Sequence, residues 1–296
     1  MIKWHTVRFG LLLLASLASF TYLAWWYLFA RQPESLQKVL FESVHYIRDV
    51  RQIPRPMVIH IVKIDLRDKR LQFFVTPGEK TAKGEIRAMT TSAFLTKFDL
   101  NIAINGSFFY PFYSNYPWDY YPHVGDTVNV LGLASSNGKI YSEPQVGFAP
   151  VFISKDNRIS FETTKYPIYT ALSGQTMLLK QGKVLISASE KARPYPRTAI
   201  ALNKHQDTLL MIVIDGKQPG YSEGATLLEL ALIIQAYDGY TALNLDGGGS
   251  STMVMQSQQG HVQLLNSPSH TRLPGRERPV ANHLGVKILQ RSVENL

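Results

Sequence analysis

The chain has 296 residues, with 31 Lys and Arg residues against 22 Asp and Glu residues, and it contains no Cys. Aromatic and aliphatic residues are plentiful, which excludes an intrinsically disordered chain, and the length allows a sizeable core to be buried. The absence of Cys excludes disulfides, thiolate metal sites and catalysis by a Cys nucleophile. The net charge of +9 raises the question of nucleic-acid binding, so the positions of the charges must be considered.

An apolar segment lies near the N-terminus, at residues 9–30, and it contains no charged residue and no His. As a helix it would span about 33 Å, roughly the thickness of a bilayer core. Lys3 and Arg8 precede it and an aromatic cluster begins at Trp25, which favours an uncleaved transmembrane signal-anchor with a cytoplasmic N-terminus. A cleaved signal peptide is the alternative. Both interpretations predict that the rest of the chain is extracytoplasmic, either periplasmic or at the cell surface.

Residues 31–54 are predicted to form a helical stalk between this anchor, residues 1–30, and a domain at residues 55–296. The helix would cover residues 33–50, because apolar side chains recur there mostly at three- and four-residue steps. Pro54 then interrupts the pattern.

The remaining chain contains many candidate strands and few candidate helices. Predicted strands lie at residues 57–66, 70–78, 101–104, 146–153, 177–179, 198–202, 209–214, 241–245, 252–255 and 284–289. Helices are predicted at residues 91–98 and 225–237, the second with a capping box formed by Thr226 and Glu229. The fold class that follows is α+β, with mixed β-sheets packed against a few helices in a single domain.

The most informative segment follows a predicted buried strand and begins with Asp246. Three glycines come next, Gly247, Gly248 and Gly249, and then three hydroxyl residues that start with Ser250. Consecutive glycines are costly in chain entropy and are favoured where the backbone must approach a ligand closely. Their N–H groups can form an anion-binding nest, although a tight hairpin without a ligand is the alternative. The segment matches neither a nucleotide-binding P-loop nor a dinucleotide fingerprint.

Other polar residues lie at the ends of predicted strands. Asp215 and Asn105 each end one strand and are followed by Gly, and Arg197 begins another. Arg is the natural partner of a phosphate or a carboxylate. Glu277 and Arg278 precede the last strand. Each of these residues also fits a plain turn or a solvated surface.

Several of these segments, in one order along residues 57–290, resemble the phosphodiester glycosidase family. The most specific are Asp-Gly-Gly-Gly-Ser-Ser at residues 246–251 and Arg-Pro-Val-Ala-Asn at residues 278–282, with Asn-Gly-Ser-Phe-Phe at residues 105–109 in support. The resemblance implies a hydrolase of sugar-1-phosphodiester bonds. Together with the apolar N-terminal segment it predicts an extracytoplasmic enzyme, with envelope or exported glycans as candidate substrates. No cofactor is predicted.

Hydrolysis of such a bond needs an anion site and a carboxyl group near the anomeric carbon. The candidate catalytic residues are Asp246, Asp215 and Glu277. The candidate substrate-binding residues are Asn105, Arg197, Asn244, Gly247, Gly248, Gly249, Ser250, Arg278 and Asn282. The roles of the three carboxyl groups stay open, because their separation is unknown. No metal site is predicted, although a divalent cation held by Asp215 or Asp246 is left open.

Nine of the fourteen residues at 108–121 are aromatic. Stacking on sugar rings and a role in membrane contact or packing are equally compatible with this composition. No element shows the pattern of a nucleic-acid binder, and the positive charge suits an anionic membrane face or phosphate-bearing glycans.

Two other functions compete with the hydrolase. One is a non-catalytic glycan-binding or exopolysaccharide-assembly protein on the same fold. The other is a serine hydrolase that uses Ser250 or Ser251, although the chain lacks a Gly-x-Ser-x-Gly elbow there.

Overall fold

The computed structural model describes residues 4–29, 31–79, 81, 83–162, 167–187, 193–257 and 259–289. Three α-helices lie in these ranges: α1 (Trp4–Phe29), α2 (Thr91–Lys97) and α3 (Leu227–Ala236). The strands of the first half are β1 (Leu36–Phe41), β2 (Val44–Arg51), β3 (Met57–Asp65), β4 (Leu71–Val75), β5 (Ile86–Arg87), β6 (Ile102–Asn105), β7 (Phe109–Tyr110), β8 (Tyr113–Tyr116), β9 (Asp119–Tyr121), β10 (Thr127–Val130), β11 (Ala134–Ser136) and β12 (Lys139–Ser142). The remaining strands are β13 (Ala149–Ile153), β14 (Ile159–Ser160), β15 (Thr170–Gly174), β16 (Thr176–Lys180), β17 (Lys183–Val184), β18 (Arg197–Asn203), β19 (Thr208–Ile214), β20 (Gly239–Asn244), β21 (Met253–Gln256), β22 (Val262–Leu264) and β23 (His283–Ile288).

The strands form antiparallel sheets of different sizes. The largest has the order β1-β2-β3-β19-β18-β20-β16-β17, and a second has the order β22-β21-β6-β23-β4. A third sheet has the order β12-β11-β15-β13-β14. Two smaller sheets are the three-stranded β5-β10-β7 and the two-stranded β8-β9 hairpin. With three helices, these sheets confirm the predicted α+β class and the single domain.

Alternating side chains build the main core from the eight-stranded sheet and both five-stranded sheets. In β3, Val62 and Ile64 point into this core, whereas Ile59 and Ile61 point to the other face and pack beneath α3. A strand that is buried on both faces shows a nearly continuous apolar sequence, as this strand does apart from His60 and Lys63. On the outer side of the second sheet, α2 contributes to a separate cluster with Ala103 of β6.

The α3 helix begins with the predicted capping box. The Thr226 hydroxyl accepts a hydrogen bond from the Glu229 N–H at 3.2 Å, and the Glu229 carboxylate accepts one from the Thr226 N–H at 2.8 Å. The cap of α2 is Thr90, whose hydroxyl accepts a hydrogen bond from the N–H of Ala93.

The predicted helix at residues 33–50 is wrong, and so is the helical stalk at residues 31–54. These residues form the β1–β2 hairpin, and β2 pairs with β3 along its whole length. The folded domain therefore begins before residue 55.

A bulge explains the misleading spacing in this hairpin. The register shifts between Val39 and Phe41, so the alternation of apolar residues slips by one position. Leu40 then precedes the turn and Val44 and Tyr46 follow it, all three pointing into the main core. Apolar residues consequently fall at helix-like steps although the backbone is extended.

The apolar N-terminal segment forms α1, Trp4–Phe29. Among the residues that the structure describes, no helix combines the length and the apolar character that crossing a membrane requires. The predicted transmembrane anchor is therefore not supported.

The ends of four strands lie close together: β18, β19 and β20 of the eight-stranded sheet and β6 of the second sheet. Arg197 at the start of β18 pairs with Ile214 at the end of β19, and Ala199 of β18 pairs with Asn244 at the end of β20. Asn105 at the end of β6 approaches the same place from the second sheet, through its hydrogen bond to Asp246. The loops that follow these strands build the candidate site.

Candidate active site

The three glycines after Asp246 each meet a different local requirement. A methyl group on Gly247 would lie 2.8 Å from the Pro196 carbonyl oxygen, and Gly248 has a left-handed backbone with φ of 65°. A methyl group on Gly249 would lie 2.5 Å from a guanidinium nitrogen of Arg278. The Gly248 N–H donates to the Pro196 carbonyl oxygen at 2.9 Å, which fixes residues 247–249, the glycine loop, against the start of β18.

Asn105 holds the backbone of this loop. Its amide nitrogen donates to the Asp246 carbonyl at 2.7 Å, and its amide oxygen accepts from the Thr198 hydroxyl at 2.8 Å and the Thr252 N–H at 3.1 Å. The side chain is fully buried. Asn105 thus joins the ends of β6, β18 and β20 and the start of the chain into β21.

Asp246 is a partly buried carboxyl group beside this loop, and its Oδ1 accepts the Gly247 N–H at 2.8 Å. Burial raises the pKa of Asp246 above the usual value for an aspartate. The positive charge of Arg278 and the hydrogen bonds from Ser250 and Gly247 reduce that rise.

Arg278 lies across the glycine loop. Its Nη1 donates to the Ser250 hydroxyl at 3.2 Å and its Nε donates to Nδ1 of His270 at 3.2 Å. The guanidinium packs 4.4 Å from the ring centre of Phe112, a cation–π contact. Burial lowers the pKa of Arg278, although the nearby Asp246 opposes this. Within the described residues, Arg278 makes no ion pair at salt-bridge distance.

His270 was not identified from the sequence, because no motif marks it. It is buried in the short 3-10 turn His270–Arg272. Burial, reinforced by the positive charges of Arg278 and Arg276, lowers the pKa of His270 to about 4. The imidazole is therefore neutral at neutral pH, and it can accept the hydrogen bond from Arg278.

Lys217 is a second cation at this site that the sequence did not reveal. It is exposed, has a left-handed backbone with φ of 59°, and places its Nζ 4.7 Å from the ring centre of Tyr195. Loss of water around the amino group lowers the pKa of Lys217, and repulsion from Arg278 and Arg272 adds to the effect. The two arginines are thus close enough to disfavour the charged form of Lys217.

Arg197 and Asn244 lie on the face of the large sheet that α3 covers, beside Ala199 and Ala242. The Arg197 Nε donates to the Ala225 carbonyl at 2.9 Å, and burial lowers the pKa of Arg197. Asn244 is buried, and its side-chain oxygen has no hydrogen-bond partner among the described residues. An unsatisfied acceptor of this kind costs stability unless water or a ligand fills the position.

Asp215 is enclosed by donors rather than open to a substrate. His60 Nε2 lies 3.0 Å from Oδ2 and Asn266 donates to Oδ1 at 2.9 Å, while the Ser267 N–H donates to both oxygens and the Tyr221 hydroxyl to one. The carboxylate has almost no exposed surface. Its neighbour Asn266 also donates to the Ser251 carbonyl, which connects Asp215 to the glycine loop.

The two other predicted residues are held by hydrogen bonds to other parts of the chain. Glu277 accepts a hydrogen bond from the Ser92 N–H in the first turn of α2 at 2.9 Å. Asn282 is fully buried and accepts the Ser107 N–H at 2.7 Å, and a methyl group on Gly106 would collide with it. The structure thus brings Asp246, the glycine loop, Ser250 and Arg278 together, with Arg197 and Asn244 adjacent. Glu277 stays apart.

Within the described residues, no group of three or more His, Asp or Glu side chains is placed to hold a metal ion.

The sequence profile of the phosphodiester glycosidase family matches residues 98–287, well over half of the chain. The chain belongs to the phosphodiester glycosidase family. As a member of this family it is an enzyme, a glycosidase that hydrolyses phosphodiester-linked sugars. A search of curated protein sequences finds no significant match.

Solved structures with the same fold include a family member from an animal. The zebrafish N-acetylglucosamine-1-phosphodiester alpha-N-acetylglucosaminidase catalytic domain, auto-inhibited by its pro-peptide, aligns with a TM-score of 0.59 and 20% identity over 88% of this chain and 92% of that one. A hypothetical protein from Synechocystis aligns with a TM-score of 0.55 and 14% identity, covering 86% of this chain and 64% of its own. A putative exported protein from Burkholderia pseudomallei K96243 gives 0.54 and 14%, covering 78% and 74%. At these identities the likeness establishes the fold of this phosphodiester glycosidase.

Proposed function

We propose that this phosphodiester glycosidase binds the phosphate of a sugar-1-phosphodiester between the glycine loop, Arg278 and Lys217. Arg278 makes no carboxylate ion pair within the described residues, and burial together with a smaller repulsion from Arg278 and Arg272 lowers the pKa of Lys217. A bound phosphodiester anion would relieve that repulsion, and backbone N–H groups of the loop suit an anion as well.

Asp246 is the carboxyl group that would face the anomeric carbon, because it lies close to the cation cluster formed by Arg278 and Lys217 and interacts with the charge of Arg278. In the net reaction the bond between C1 and the phosphate oxygen breaks, and its electron pair leaves with the phosphate monoester. Water supplies the oxygen that ends on C1, and its released proton passes to solvent. The positive charge that develops on the sugar in the transition state is stabilised by the ionised carboxylate.

The leaving group needs little protonation, since a phosphate monoester is already a stable anion. Arg278 would stabilise the additional negative charge that forms on it. This division places the anion on the Arg278 side of the loop and the sugar on the Asp246 side. It also explains why one partly exposed carboxyl group suffices for the step at the carbon atom.

Asp215, Asn105 and Asn282 act as positioning residues in this proposal. Each is buried, and each uses its polar atoms on the chain that carries the site. Asp215 acts through Asn266, which fixes the Ser251 carbonyl, and Asn105 fixes the Asp246 carbonyl directly.

The substrates that we propose are envelope or exported glycans that contain glycosyl phosphate links, hydrolysed outside the cytoplasm. The basic residues followed by the apolar segment at residues 9–30 support export, and the Burkholderia neighbour is named as an exported protein. The excess of positive charge suits a phosphate-bearing substrate.

The test is hydrolysis of α-N-acetylglucosamine 1-phosphate methyl ester by the wild type and by Asp246→Asn. The substitution should lower kcat by about 10² to 10⁴, because it removes the charge that stabilises the transition state but keeps the shape of the side chain. Asp238→Asn serves as the matched control, since Asp238 is exposed and its left-handed backbone, with φ of 72°, also suits Asn.

Full activity of the wild type and the control with loss in Asp246→Asn supports the proposal. Equal activity of all three proteins would remove Asp246 from the mechanism. Binding of sugar phosphates without hydrolysis by the wild type, tested over several sugars, would instead favour the non-catalytic glycan-binding protein.

A further inference from the structure

The aromatic segment at residues 110–121 projects from the domain as a hairpin beside the candidate site. Strands β8 and β9 pair only with each other, and residues 117 and 118 form the turn between them. The rings stack in pairs across the hairpin: Phe112 with Tyr120, Tyr113 with Tyr121 and Tyr116 with Trp118.

The base of this aromatic hairpin contacts the residues that bind the phosphate in the proposed function. Phe112 packs on the Arg278 guanidinium at 4.4 Å, and the ring centre of Tyr120 lies 5.6 Å from that of His270, the residue that accepts a hydrogen bond from Arg278. The hairpin is thus continuous with the phosphate side of the site.

The hairpin is held in place at its base. The Tyr121 hydroxyl donates to the Thr127 carbonyl at 2.8 Å, and His123 bridges Asp119 of β9 and Asp126 at 2.6 and 3.1 Å. The raised pKa of His123, caused chiefly by its hydrogen bond with Asp119, reflects these contacts. Rings held in this way lose little freedom when a ligand binds.

The tip of the hairpin exposes two large rings to solvent. The exposed fractions of Tyr116 and Trp118 are 60% and 67%, so the outer faces of this stacked pair are open. The distance along the strand from Phe112 to Tyr116 is about 13 Å, because a strand rises roughly 3.3 Å per residue. That length exceeds one sugar ring.

The composition of the hairpin favours a carbohydrate over a membrane as its ligand. Residues 110–121 include no Lys or Arg and one Asp, whereas segments that bind anionic membranes carry clustered basic residues. Tyrosine hydroxyls and the Asn115 amide, which donates to Asp119 at 3.0 Å, lie among the rings. Aromatic faces with polar rims match sugar rings, which present C–H groups on their faces and hydroxyls at their edges.

We propose that the aromatic hairpin is a binding site for a glycan chain of two or more sugars on the phosphate side of the substrate, so that it selects polymeric aglycones. The inference rests on the proposed function in one respect, which is the assignment of the phosphate to Arg278. It goes further, because it assigns the chemical class and the minimum length of the group beyond the phosphate.

The test measures binding without hydrolysis. Titration calorimetry compares a linear trisaccharide 6-phosphate with methyl phosphate as ligands of the wild type, Trp118→Ala, Trp118→Phe and Val146→Ala. The last substitution removes another exposed apolar side chain, at 99% exposure, that lies outside the hairpin. Trp118→Ala should weaken trisaccharide phosphate binding about tenfold and leave methyl phosphate unchanged, while Trp118→Phe and Val146→Ala should bind as the wild type does.

Equal weakening of both ligands in Trp118→Ala, or no weakening of either, would overturn the inference. Loss of binding to phosphatidylglycerol vesicles in Trp118→Ala, with trisaccharide phosphate binding intact, would overturn it in favour of a membrane contact. If the expected binding pattern is found but no sugar phosphodiester is hydrolysed, the proposed function fails and the glycan site stands.

Discussion

The Arg278 guanidinium packs directly against the α-carbon of Gly249, so that a methyl group there would lie 2.5 Å from Nη2 and 3.0 Å from Cζ. The spatial constraint at this position comes from the guanidinium end of the arginine side chain and not from the backbone angle. At Gly248 the reverse holds, because φ is 65° and the space beside its α-carbon is open apart from Lys217 at 4.0 Å. Two neighbouring glycines thus serve separate physical purposes.

Gly249→Ala should displace Arg278 and impair phosphodiester binding. Because a charge-assisted hydrogen bond is worth roughly 1.5–3 kcal/mol, kcat/KM should fall about 10- to 100-fold. Gly138→Ala is the control, since Gly138 has φ of 78° with open space around it and the substitution strains only a distant turn. Steady-state kinetics of both variants beside their melting temperatures separate the two effects, and an equal loss of activity in Gly138→Ala would count against the contact.

Lys217→Met should raise KM for sugar phosphodiesters without lowering stability. The depressed pKa of Lys217 means that its charged form is less favourable in the folded state, so its stability contribution is present only above the unfolded pKa and is lost as pH falls through the folded pKa. At neutral pH the charge is therefore a cost. Thermal melts should show no decrease in Tm, and inorganic phosphate should stabilise the wild type more than the variant. Equal stabilisation by phosphate would remove Lys217 from the anion site.

The pH profile of activity should carry an acid limb set by Asp246. Because burial raises the pKa of this group, kcat should fall with decreasing pH through a pKa above the ordinary aspartate value of about 3.9. The same shift gives stability that is full below about 3.9 and is lost as pH rises through the folded pKa. The difference in unfolding free energy between the wild type and Asp246→Asn, measured by denaturant titration over this pH range, should follow that sign. A profile that is flat down to the ordinary value would contradict the assignment.

Glu277→Ala should lower stability and spare catalysis. The lost hydrogen bond to the Ser92 N–H should cost about 1 kcal/mol, which lowers Tm by roughly 2–4 °C in a protein of this size. Activity per folded molecule should stay near that of the wild type, because the carboxylate faces α2. A fall in kcat comparable with that of Asp246→Asn would restore Glu277 as a catalytic candidate.

Features set by local chemistry were predictable from the sequence. The capping box of Thr226 and Glu229 needs only a hydroxyl and a carboxyl group three residues apart before an apolar run, and it forms as expected. The glycine loop after Asp246 was predictable as well, because three consecutive glycines are costly in chain entropy and indicate a backbone under close spatial demands. Arg278, which precedes the last strand, contacts this loop in the structure through its hydrogen bond to Ser250.

Features that depend on tertiary packing were not predictable in this way. The β1–β2 hairpin carries helix-like spacing because a bulge near Val39 shifts the alternation, and only its pairing with β3 identifies it. Asp215 and Asp246 look alike in the sequence, as carboxylates before glycine at strand ends. Five hydrogen bonds enclose the first, and the second meets the cation cluster.

His270 is another site residue that could not be identified from the sequence. Its role depends on Arg278, which is eight residues further along the chain, and on Tyr120 of the aromatic hairpin. Nothing in the residues around His270 indicates either contact. Lys217 likewise becomes a site residue only because the turn after β19 folds over Tyr195.

We expect this site to break the bond between the anomeric carbon and the phosphate oxygen. Hydrolysis of a sugar-1-phosphodiester in water enriched in heavy oxygen, followed by mass spectrometry of both products, tests it most directly. We predict the heavy oxygen on the released sugar and none in the phosphate monoester. Heavy oxygen in the phosphate would show attack at phosphorus, and it would contradict the placement of the sugar at Asp246 and the phosphate at Arg278.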